Sequence, residues 1–172
     1  MEIRQLIDRI VSRNTREYLS GPAAGLYPEP RLYPPATRRQ IVELGQRAGH
    51  SIEASYKEFL SLTDGMDGLY ATMPVYGCHD WESHGKAHAG LEFIEALRTD
   101  GTPVDVGLPE GIGLFPVSLD GDRASGIFQL EPHPEFSERF WWVGEGSSLF
   151  FRTFGDILKW VVTHAHIMPA SI

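Results

Sequence analysis

Apolar residues recur at helical spacing through much of the first hundred positions, change to short extended runs between 112 and 151, and return to helical spacing at the end. This order constrains the fold more than any other feature of the chain. Consecutive short strands joined by tight turns pair antiparallel, and helices placed before and after them must bury their apolar stripes on the resulting sheet. Strands alternating with helices would instead have implied a doubly wound parallel sheet. The expectation is therefore an α+β fold, a mainly antiparallel sheet packed by N-terminal helices and a C-terminal helix. A length of 172 residues suits a single domain spanning 1–172.

Ile3, Leu6, Ile7, Ile10 and Val11 predict an amphipathic helix over 2–19. Pro22, Pro28, Pro30, Pro34 and Pro35 then exclude helix and central strand, because proline lacks the N–H donor and restricts the residue before it. A second helix starts at Thr37, an acceptable cap, and stops at Gly49; a third starts near Ser55 and stops at Asp64-Gly65. One strand is expected over 69–76, at an edge or bulge because it contains Pro74, and a helix over 87–98. Strands are expected over 112–119, 124–130, 138–143 and 148–151, with Asp120-Gly121-Asp122 as a hairpin turn, and a closing helix over 154–166.

The net charge of −8 is concentrated: residues 92–145 carry 11 acidic and 3 basic side chains, whereas 1–91 is nearly balanced. Nucleic-acid binding, which draws its affinity from cations on phosphates, is not expected, and a basic protein partner is the electrostatic complement. The N-terminal residues lack the pattern of a secretory or mitochondrial leader and no apolar run is of membrane length, so a cytoplasmic protein without a membrane partner is expected. The single Cys78 cannot form an intrachain disulfide.

Residues 78–88 concentrate side chains that can carry chemistry: Cys78, His79, Asp80, Trp81, Glu82, His84 and His88. His79, His84 and His88 could converge on zinc if a loop fed a helix there, with His84 and His88 four apart on one face. The stretch matches neither HExxH nor a Cys/His finger, and Cys78 would need a distant imidazole such as His164 or His166 to act as a nucleophile. No GxSxG elbow or P-loop is present, so no catalytic residue, metal or cofactor is assigned; a metal-binding or enzymatic module at 78–88 is the alternative reading. Trp141 and Trp142 are neighbours on an expected strand and must point to opposite faces, so either both are buried between the sheet and packed segments or one of them is exposed or covered by a loop and available to a partner.

The stretch PATRRQIVELGQRAGHSIEASYKEFLSLTDGM at 35–66 resembles the SUKH superfamily of fungal cell-wall assembly regulators and bacterial immunity proteins. Pro35, Ala36, Thr37, Ile41, Gly49, Ile52, Ser55, Tyr56, Phe59, Leu60 and Gly65 fall on its pattern without a gap. Gly45 stands where a Glu is usual, Glu53 where a Pro is, and Asp64 where an Asn is. Phe115-Pro116-Val117, Asp120-Gly121-Asp122, Phe140-Trp141-Trp142-Val143 and 153–158 follow in the family's order, and 1–34 lies outside its core.

The resemblance implies a non-enzymatic domain that works by binding protein, in the bacterial members by neutralising a cognate toxin, or in the fungal manner by regulating an endogenous partner. With the acidic segment, it places a basic toxin domain against Tyr76, Asp80, Trp81, Glu82, Asp120, Asp122, Glu131, Glu135, Trp142 and Glu145. In that arrangement charge steers the encounter and an aromatic anchor holds the complex.

Overall fold

The computed structural model describes residues 1–20, 24–144 and 146–164. The first helix, α1 (Ile3–Ser20), buries Ile3, Leu6, Ile7 and Ile10 along one stripe, as their spacing predicts. A two-residue strand, β1 (Arg31–Leu32), lies within the proline-rich connection, between Pro30 and Pro34. Next come α2 (Arg38–Ala48) and α3 (Ala54–Leu62). In the capping box of α2 the Thr37 hydroxyl accepts from the Gln40 N–H, while the Gln40 side chain accepts from the Thr37 N–H; Gly49 closes the helix in the left-handed region at φ 75°.

The expected strand over 69–76 is two strands, β2 (Met66–Tyr70) and β3 (Met73–Val75). The chain reverses between them, with Ala71 at φ 50° and Tyr70 opposite Met73, so no single extended segment can span the stretch. Pro74 sits on the outer strand of the order β1-β2-β3, where a missing donor costs least. The entry to β2 requires glycine: Gly65 has φ +88°, and a Cβ there would lie 2.7 Å from the Gly77 nitrogen.

A 3₁₀ turn (Cys78–Trp81) leads to α4 (His88–Thr99) and the short α5 (Thr102–Asp105). The meander β4 (Leu114–Leu119), β5 (Ser125–Leu130), β6 (Phe140–Gly144) and β7 (Ser147–Phe151) follows, antiparallel throughout. The last helix, α6 (Phe154–Thr163), stops short of the expected end; positions 165 and 166 lie outside the described residues. None of the described helices is long and apolar enough to cross a membrane.

Both faces of the meander are covered. Ile127 pairs with Trp142 on one face, where α1, α3 and α6 supply Leu6, Ile10, Phe59, Phe154 and Ile157. Phe128 pairs with Trp141 on the other, beneath Ile94 and Leu97 of α4 and Leu108 and Ile112 of the following loop. Of the two arrangements open to the tryptophan pair the structure has both buried, Trp141 fully and Trp142 at 6% exposure, which corrects the placing of Trp142 as an exposed anchor. A strand covered on two sides buries consecutive residues. The N-terminal helix is built into the same core, with Arg13 Nη1 donating to the carbonyls of Val161 (2.8 Å) and Val162 (3.2 Å) at the end of α6. One backbone bond, from the Tyr76 N–H to the Val117 carbonyl (2.8 Å), ties the small sheet to the meander.

Candidate functional site

The β2–β3 and β4–β5 turns lie side by side, joined by the Gly121 N–H donating to Thr72 Oγ1 (3.2 Å). Asp120 shapes its own turn, since Oδ1 accepts from the N–H groups of Ala124 (2.7 Å) and Ser125 (3.2 Å). Asp122 projects from the tip, exposed. One flank of this ridge borders a groove of about 730 Å³ lined by Arg31, Asp67, Tyr76, Lys86, Asp120 and Arg123, among others. Its cations are already engaged: Lys86 Nζ is 2.9 Å from Asp67 Oδ1, Arg123 Nη1 is 2.9 Å from Glu92 Oε2, and the Arg31 guanidinium lies over the Tyr33 ring. Tyr76 is buried in the wall, and that burial pushes its phenol pKa up. Asp120 and Asp122 are the ridge's own carboxylates, and no ion pair engages either among the described residues.

The stretch 78–88 is a hydrogen-bonded scaffold. Asp64, itself buried, accepts from the Cys78 N–H, from the His79 N–H (3.2 Å) and from His79 Nδ1 (2.9 Å). Buried Asp80 accepts from the Gly77 N–H at Oδ2 (2.8 Å), and its Oδ1 faces His79 Nε2 at 3.4 Å. Burial raises the Asp80 pKa, against the opposing pull of the Gly77 N–H, Lys86 and His79. His88 Nε2 reaches the carbonyls of Trp81 and Glu82, both at 3.2 Å. His84 occupies a left-handed turn at φ 65°, before α4 begins, so it does not share a helical face with His88. Burial, reinforced by Asp64, pushes the Cys78 thiol up to about 12, which leaves it protonated at neutral pH. Among the described residues no group of three His, Cys, Asp or Glu side chains is arranged to hold a metal ion.

The remaining expected contact residues are dispersed. Trp81 is buried, stacked on Phe115 at 4.8 Å, whereas Glu82 is exposed on a separate depression facing Glu43 and Arg47 of α2. Glu131 lies just past the far end of β5, about 20 Å from Asp120 by strand rise, with its Oε2 accepting from the Gly113 N–H, and Glu135 follows in the turn closed by His133 and Phe136. Glu145 lies outside the described residues. Trp142 is buried, its Nε1 donating to Ser125 Oγ (3.0 Å).

The structure thus gathers Tyr76, Asp120 and Asp122 and separates them from Glu131 and Glu135. It adds Thr72, Lys86 and Arg123, which the sequence reading missed. The turn at Asp120-Gly121 was legible in the sequence; the reversal at Ala71-Thr72, inside an expected strand, and the adjacency of the two turns were not. No family model matches the chain, and no curated protein matches it significantly.

Proposed function

We propose that the chain is a non-enzymatic, protein-binding domain of SUKH type, an immunity protein that acts in the cytoplasm and neutralises a basic toxin domain by covering it. The observation that carries this reading is the ridge formed by the two joined turns, which projects Asp122 into solvent and holds Asp120 at its base while the neighbouring cations are engaged. A ridge of this kind fits a concave, positively charged active site. The concentration of acid in 92–145 supports the same partner, since long-range attraction raises encounter rates with a basic surface. The protonated state of Cys78 supports a binding role for 78–88 over a nucleophilic one.

The test is co-expression with the product of the adjacent reading frame, whose toxicity is first established alone. Restored growth together with a purified one-to-one complex is expected. A host that dies equally with and without this chain would overturn the immunity reading.

A further inference from the structure

On the opposite flank of the ridge lies a second depression, of about 320 Å³, walled by Tyr70, Trp142 and Trp160, with Met73, Leu149 and Asp120 around them. The three rings are mutually tilted: Tyr70 and Trp142 lie at 5.3 Å and 86°, Tyr70 and Trp160 at 5.5 Å and 58°, and Trp142 and Trp160 at 4.9 Å and 65°. The cluster is braced on two sides. Trp142 Nε1 is anchored on Ser125, and the His164 ring stacks on Trp160 at 4.0 Å and 9°. Tyr70 and Trp160 are only half-buried and Leu149 is exposed, so the depression opens to solvent.

Asp120 is the one charged side chain among the described residues lining this depression. Its Oδ1 is occupied by the turn, while among the described residues no hydrogen bond or ion pair reaches Oδ2. Aromatic faces attract cations through their quadrupoles, and an apolar wall accommodates the methylene stem behind the charge. An apolar cup with one available carboxylate oxygen and no resident cation is complementary to one kind of group.

We infer that this depression receives a lysine or arginine side chain of the protein partner, with its stem against Trp142, Trp160 and Leu149 and its charge toward Asp120. The inference rests on the reading of the chain as a binder of a basic protein, and it assigns the anchoring contact to the depression beside the ridge.

The test uses the full ¹⁵N-labelled chain, titrated with Nα-acetyl-lysine methylamide, Nα-acetyl-arginine methylamide and the neutral Nα-acetyl-norleucine methylamide, and reads the tryptophan indole N–H signals. Either cationic amide is expected to shift the Trp142 and Trp160 signals and leave Trp81 in place, with the neutral amide markedly weaker. Asp120→Asn, which keeps an acceptor for the turn, should weaken the cationic amides by up to about fivefold and leave the neutral one unchanged. Trp160→Leu should remove the response at Trp142. Equal response to the neutral amide, indifference to Asp120→Asn, or no shift at the solubility limit would overturn the inference. Such a failure alongside restored growth in co-expression would leave the immunity reading standing, and indole shifts without restored growth would do the reverse.

Discussion

Glu53 Oε2 accepts from the N–H groups of Ser55, Tyr56 and Phe154, each at 3.1 Å, and from the Ser55 hydroxyl at 2.7 Å. One buried carboxylate thereby caps α3 and meets the first residue of α6, where both helix dipoles favour negative charge. Glu53→Ala is expected to destabilise the protein by about 2–4 kcal/mol, because it removes a cap and orphans buried donors at two helices. Glu53→Gln should cost less than half of that, and urea unfolding of both variants checks the order. A few residues away, burial lowers the His50 pKa below its ordinary 6.5, Arg139 adds to the effect, and the Ser51 carbonyl and Glu131 oppose it. Near that pH the unfolded chain binds more protons at this position than the folded one, so stability is complete above 6.5 and declines as the pH falls through it. His50→Gln should therefore reduce the loss of urea midpoint between about pH 7.5 and about pH 5.5.

At the scale of elements, α3 is the junction between helices and sheet. Tyr56, Phe59 and Leu60 are fully buried, Phe59 and Tyr56 meet Phe154 of α6 at 5.1 and 5.0 Å, and the Tyr56 hydroxyl donates to the Tyr76 carbonyl at 2.7 Å. Phe59→Ala should destabilise the protein by about 3–5 kcal/mol, the range for a large cavity that neighbours on two elements cannot collapse to fill. A thermal melt unchanged from wild type would show that this helix does not carry the junction. The helices α1, α2, α4 and α6 and the four meander strands were legible, because each writes its period or its turn residues into adjacent positions. The 69–76 segment was misread because its reversal depends on Ala71 at positive φ, a conformation alanine does not advertise. The sequence left the tryptophan pair open between two arrangements because alternation reports which face a side chain takes, and α4 decides whether that face meets solvent.

For the whole molecule, the proposed binding role implies that acid concentrated in 92–145 acts on encounter more than on the lifetime of a complex. Asp122 tests this cleanly, since it is exposed and the carboxylate that holds the turn belongs to Asp120. If the proposed partner is a basic toxin domain, Asp122→Lys is expected to slow association with it about two- to fivefold at low ionic strength. The effect should shrink near physiological salt, where exposed charges are screened beyond about 8 Å. Stopped-flow rates indifferent to both reversal and salt would move the contact away from the ridge. The α+β class, the order of the meander strands with helices before and after them, and the hairpin at Asp120-Gly121-Asp122 were determined by the sequence alone, since periodicity and turn chemistry are properties of neighbouring residues. Only the tertiary structure decided that Thr72 meets Gly121, that Glu53 reaches Phe154, and that Tyr70, Trp142 and Trp160 enclose one depression. The first two contacts join positions 49 and 101 residues apart, and packing of the helices on both faces of the meander brings such positions together without leaving any local pattern in the chain.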